Sequence, residues 1–183
     1  VQGGLRAGAT PAAAEQVAEI HSLPLAQIVS YMNRESINHF AELLYRNAAR
    51  EEGRQGTALA ALEELREFLS SKAGTNPQHI KVSDGSGLSE ADSLTARSMV
   101  QLLAYAHKAP WSSVFHASMP VAGESGLVRR RMRQTPAEAN LHAKTGTTNP
   151  VASLAGYVTA LNGEVLAFAF IYNGGDRFGA RAE

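Results

Sequence analysis

The sequence predicts an α/β fold in which helices, mostly early in the chain, pack on an antiparallel sheet built at its end. Three observations predict it. Up to Pro110 the apolar residues recur with helical spacing, from Leu141 onward the pattern turns to that of strands, and Asn162-Gly163 between the last two strand segments is a strong hairpin signal.

Residues up to Ala14 read as a weakly structured lead-in, and Val17 to Ile20 as the end of a strand. After Pro24, Leu25, Ile28, Val29 and Met32 fall on one helical face, giving a buried helix that stops near Asn33. A second helix carries Phe40, Leu43 and Leu44 and ends at Gly53, which leaves Ser36 at the joint between two helices. Thr57 caps a third helix with the stripe Ala58, Leu62, Leu65 and Leu69, ended by Gly74 with Pro77 beyond. Ile80 to Val82 is a short strand, and Asp84-Gly85-Ser86-Gly87 is turn chemistry. Thr95 caps a fourth helix carrying Met99, Leu102, Leu103 and Ala106, and two short helical pieces follow at Trp111 to Ala117 and Leu127 to Met132.

The strands are Leu141 to Thr147, Ser153 to Thr159 and Glu164 to Tyr172. In the last, Val165, Ala167, Ala169 and Ile171 face one way and Leu166, Phe168, Phe170 and Tyr172 the other. Both faces are apolar, which predicts a sheet covered by helices on both sides.

A length of 183 residues suits one domain, and 44% hydrophobic against 19% charged residues supplies a core. Seventeen basic side chains balance seventeen acidic ones, so no global field draws nucleic acid or an anionic membrane. With no cysteine, disulfide frameworks, thiolate metal sites and a cysteine nucleophile are excluded. No apolar run reaches the ~20 residues of a membrane span. Val1 to Arg6 lacks the layout of a signal peptide, and a first residue that is not Met points to a processed or truncated chain.

Two local signals carry chemistry. Lys144-Thr145-Gly146-Thr147, ending a strand, sets a cation and a hydroxyl beside backbone that a ligand can approach, which suits a carboxylate; read alone, it is equally an edge lysine followed by a turn. Ser36-Ile37-Asn38 at the helix joint supplies a hydroxyl for proton relay and an amide for a peptide group, and the same residue types also serve as ordinary caps. Arg129-Arg130-Arg131 with Arg133 reads as a solvated helix face near anionic polymer rather than a nucleic-acid site. His107 and His116 are too far apart for a helical pair, and no His-Glu-x-x-His run exists, so no metal site is expected.

Together these signals, with Tyr31 to Glu42, Asp84-Gly85-Ser86-Gly87-Leu88-Ser89, Met119-Pro120-Val121-Ala122-Gly123 and Leu154-Ala155-Gly156-Tyr157-Val158, resemble the D-alanyl-D-alanine carboxypeptidase/endopeptidase family. These are the DacB-type low-molecular-mass penicillin-binding proteins, which are serine peptidases. The resemblance runs from about Val17 to Tyr172. It implies a penicillin-binding-protein transpeptidase-like domain, peptidoglycan peptide as substrate, β-lactams as inhibitors, acyl-enzyme chemistry without a cofactor, and a periplasmic or other extracytoplasmic location.

Carried over by residue, it implies that Ser36 passes a proton between nucleophile and leaving amine, that Asn38 hydrogen-bonds a substrate peptide carbonyl, and that Lys144 holds the positive potential. Thr145, Gly146 and Thr147 then bind substrate along the strand, with the Thr147 N–H in the oxyanion hole. No serine is followed three positions later by lysine, so the family's nucleophile motif is absent. The expectation is that residues 1–183 are the C-terminal portion of one catalytic domain with an incomplete sheet, inactive alone, whose last strand is left as an edge. That edge is then covered by the chain's own N-terminal residues, by the missing N-terminal segment of the same protein or by a second copy. The alternative is a non-catalytic module that binds peptidoglycan peptide or β-lactam.

Overall fold

A computed structural model describes residue 4, residues 7–149 and residues 151–174. Apart from Gly4, the Val1 to Arg6 segment examined for a signal peptide lies outside the described residues. The order of elements is α1 (Leu25–Glu35), α2 (Asn38–Glu51), α3 (Ala58–Ser71), β1 (Ile80–Lys81), β2 (Ser93–Leu94), α4 (Ala96–Lys108), α5 (Ser112–Ser118), β3 (His142–Thr147), β4 (Val151–Thr159) and β5 (Val165–Asn173).

Two of the helices, α3 and α4, begin where the capping chemistry put them. Thr57 accepts from the Ala60 N–H and Thr95 from the Ser98 N–H, each satisfying one donor that a helix start leaves unpaired. The short β1 pairs with β2, a strand without a periodic signature of its own. Three expectations are corrected. Val17 to Ile20 forms no strand: both Val17 and Ile20 are 97% exposed, with no neighbouring strand to pair with. The first helix passes Asn33 and runs to Glu35, because Ser36 rather than Asn33 adopts the left-handed conformation that ends it. At Leu127 to Met132 there is only a 3-10 turn over Gly126–Val128, so the arginine cluster lies on irregular chain rather than on a helix.

β3, β4 and β5 form an antiparallel sheet in that order, with Lys144 opposite Ala155 and Ala155 opposite Ala169. The hairpin between β4 and β5 turns through residues 160–164, and Gly163 supplies the positive φ of 85° that the turn requires. Alternation along the strands holds, and it sorts the core. Ala155, Tyr157 and Ala167 meet Met99, Leu103, Phe115 and Met119 of α4, α5 and the residue after α5. Tyr157, 2% exposed, donates its hydroxyl to the Leu103 carbonyl at 2.7 Å; burial of a side chain this size stabilises by roughly 1.5–3 kcal/mol. A further cluster, Leu69, Ala73 and Ile80, seats α3 against β1 and α4.

Among the described residues helices cover one face of the sheet, not both. The opposite face, with Leu154, Val158 and Phe168, packs on Ala122, Met132, Ala137 and Leu141 from the irregular stretch before β3. Beyond that cover Phe170 is 68% and Leu166 49% exposed. Among the described residues β5 is an edge strand, as expected of an incomplete sheet.

Candidate active site

The site grows from the joint between α1 and α2. Ser36 has φ 56° and ψ 54°, a left-handed conformation that costs a non-glycine residue about 1–2 kcal/mol. The turn is closed by the Ile37 N–H donating to the Met32 carbonyl at 3.1 Å. Only Ile37 separates Ser36 from Asn38, the first residue of α2, so the two lie on either side of a tight link; Lys144 meets Ser36, while Asn38 lines a groove that neither of them lines.

Lys144 reaches Ser36 from β3. It lies on the helix-covered face, and its Nζ donates to Ser36 Oγ at 2.8 Å and to the Thr145 carbonyl at 2.7 Å. Burial holds its pKa below the usual lysine range, and among the described residues no carboxylate pairs with it. A half-buried cation lacking an anionic partner favours an anionic ligand, since burying an unpaired charge is costly. Ser36 Oγ spends one lone pair on the lysine and keeps its own O–H and a second lone pair, the complement a proton relay requires.

The strand offers its backbone as well. The Ala143 N–H donates outward to the Pro120 carbonyl at 2.9 Å, so strand alternation turns the N–H and C=O groups of Thr145 and Thr147 to that same outer edge. Past Ala143 this edge has no partner strand among the described residues. Gly146 lets Ser153 Oγ of β4 sit close against the strand between the two threonines: a Cβ there would require that hydroxyl to turn away.

Asn38 is exposed, and its side chain lines an open groove of about 490 Å³ shared with His39, Glu42, Asp84, Ser86 and Ser89. Glu42 was not legible as part of this groove, because its partner lies 43 positions away: its Oε2 accepts from the Gly85 N–H at 2.7 Å, while Arg46 donates to its Oε1. The Gly85 bond and Arg46 together hold the Glu42 carboxyl below its usual range. Asp84 organises the loop by accepting from the Ser86, Gly87 and Ser89 N–H groups and from Ser86 Oγ. Its burial raises the carboxyl, yet these bonds outweigh it and the net pKa is lowered. The loop is thus the structural turn its sequence indicated.

Other candidates lie apart. His107 and His116, unpromising as a pair in sequence, meet at 3.3 Å between α4 and α5, with His116 stacked on Tyr157. Burial, His107 and His142 push His116 toward its neutral form. Among the described residues no cluster of ligands suits a metal ion, and no helix is long and apolar enough to cross a membrane.

Comparison with known proteins converges on one family. The profile of the D-Ala-D-Ala carboxypeptidase 3 (S13) family matches residues 1–183. A D-alanyl-D-alanine carboxypeptidase of Actinomadura sp. (strain R39) is 40% identical over 182 residues, which is 95% of this chain and 34% of the relative. The fold matches the crystal structure of penicillin-binding protein 4 from Haemophilus influenzae with a TM-score of 0.77 at 28% identity, covering 84% of this chain and 34% of that one. The same protein in complex with a β-lactam matches with a TM-score of 0.75 at 28% identity, over 83% of this chain and 36% of that one. This chain therefore spans about a third of the length of these relatives.

Proposed function

The chain belongs to the D-Ala-D-Ala carboxypeptidase 3 (S13) family, and from that premise we propose that it supplies part of the active site of a serine-type D-Ala-D-Ala carboxypeptidase or endopeptidase acting on peptidoglycan peptides outside the cytoplasmic membrane. In this reading residues 1–183 are the C-terminal portion of one penicillin-binding catalytic domain, and the nucleophilic serine with its base lies on a segment outside them. The observation that carries it is the Lys144–Ser36 contact: a half-buried cation, without a carboxylate partner among the described residues, bonded to a hydroxyl at the mouth of an open strand edge.

The chemistry follows from the donors in place. The substrate's terminal carboxylate, or that of a β-lactam, docks along the outer edge of β3 where Thr147 faces it, with Lys144 supplying the positive potential. The scissile carbonyl lies along the outer edge of β3, where the Thr147 N–H is one oxyanion donor; such a donor contributes ~2.7–4 kcal/mol. The nucleophile's oxygen bonds to the carbonyl carbon, the C–N bond breaks, and the proton lost by the nucleophile reaches the departing amine through Ser36. Lys144 holds the Ser36 oxygen so that its O–H points away from the ammonium, toward that amine. Asn38 hydrogen-bonds the peptide group of the substrate's remaining segment, and water then hydrolyses the acyl-enzyme.

Fluorescent penicillin tests the proposal. The full-length protein is expected to take one covalent label and this chain alone none. Stoichiometric labelling of a serine within the 183 residues would overturn it.

A further inference from the structure

Two residues bonded to each other lie on the helices beside Ser36. The last turn of α1 is fastened to the end of α5 by consecutive side chains: Asn33 Nδ2 donates to Ser118 Oγ at 2.8 Å, and Arg34 Nη2 donates to the Ala117 carbonyl at 2.9 Å. Ser118 is fully buried and donates its O–H to the Phe115 carbonyl at 2.7 Å. Its oxygen thus accepts from one side and donates to the other, which fixes the direction of the Asn33 bond.

We infer that Asn33 and Ser118 are positioning residues for the proton-relay hydroxyl of Ser36. The inference rests on the role proposed for Ser36 above. The physical argument is that a serine in a left-handed turn has no conformational reason of its own to stay there, and its only side-chain bond among the described residues is to a flexible lysine. The backbone closure between Ile37 and Met32 begins one residue before Asn33, so anchoring Asn33 anchors the turn that closes on Ser36. The anchor is rigid because α5 is seated by Phe115 and, just past its end, Met119 against Tyr157 on the sheet that carries Lys144. Asn33 and Ser118 therefore refer Ser36 to the same framework as its partner, across 85 positions of sequence.

The test uses the full-length protein and the release of D-alanine from a peptide substrate. Asn33→Ala and Ser118→Ala are each expected to lower kcat about tenfold with KM unchanged, the scale of a sub-ångström misplacement. The double variant is expected to lose no more than the worse single one, because both act through one bond. Arg54→Ala, which breaks an exposed ion cluster with Glu63, Glu64 and Glu67 far from the site, serves as a control that alters stability without altering kcat. Asn33→Leu keeps the approximate shape and can neither donate nor accept; it is expected to show the same loss and decides the matter if the alanine variants melt below the assay temperature. Unchanged kcat in the Asn33 and Ser118 variants, or additive losses in the double variant, overturns the inference while Ser36→Ala remains inactive. Full turnover in Ser36→Ala would instead remove the reading of the site on which the inference stands.

Discussion

Lys144 Nζ lies 2.8 Å from Ser36 Oγ, a contact that joins β3 to the end of α1 across 108 positions of the chain. The lysine acts as donor, so the serine's own proton is left to be given elsewhere. Ser36→Ala in the full-length protein is expected to cut turnover by ~10²–10⁴, the usual worth of a positioned proton-transfer group. Ser36→Gly makes a sharper test, because it loses the hydroxyl and relieves the left-handed strain together. It is expected to melt at or above the parent and to be as inactive as the alanine variant; a glycine variant with normal turnover would show that the hydroxyl has no part in catalysis.

Burial lowers the Lys144 pKa from its ordinary 10.5, and the sign of the consequence can be worked out. Between the folded and unfolded values the unfolded chain holds a proton that the folded one has released. Stability therefore rises with pH through that window. Urea melts of the parent and of Lys144→Met across the alkaline range are expected to show this rise in the parent and a flatter profile in the variant. Labelling by a carboxylate-bearing β-lactam is expected to weaken over the same window as the cation is lost.

Glu42 ties the Asp84 loop to α2 through the Gly85 N–H, and its carboxyl is held below the ordinary 4.5. A depressed carboxyl contributes stability that is present above its unfolded pKa and lost as the pH falls through the folded one. Glu42→Ala is expected to cost about 1.5–3 kcal/mol at neutral pH, the worth of a hydrogen bond to a charged group, and to speed amide exchange at Gly85. Equal exchange at Gly85 in parent and variant would show that the loop holds its place without Glu42.

β5 presents Phe170 and Leu166 on an open face and carries the sheet's outer edge. An apolar strand with unpaired N–H and C=O groups invites pairing. The 183-residue chain is expected to associate in solution or to bind the remaining segment of its own protein, and Phe170→Lys is expected to weaken that association. Light scattering after size exclusion, on the chain alone and mixed with the remaining segment, reads both; a chain that stays monomeric alone and does not bind that segment would refute the expectation.

The sequence by itself determined the helices and strands with strong periodicity, both threonine caps, the face alternation of β5 and the Asp84 turn. Each of these depends on residues within a few positions of one another, where spacing and backbone preference act directly. It also carried Ser36-Ile37-Asn38 and Lys144-Thr145-Gly146-Thr147 as separate marks, and the family resemblance joined them. Only the tertiary structure decided that Lys144 meets Ser36, that Glu42 holds Gly85, that Asn33 reaches Ser118, and that His107 meets His116. It also left one sheet face without helices and Val17 to Ile20 without a strand partner. The reason is physical: a hydroxyl, an amide or an ammonium carries no preference for a particular distant partner. Which groups meet is settled by how the helices pack on the sheet, and that depends on the apolar burial of the whole chain.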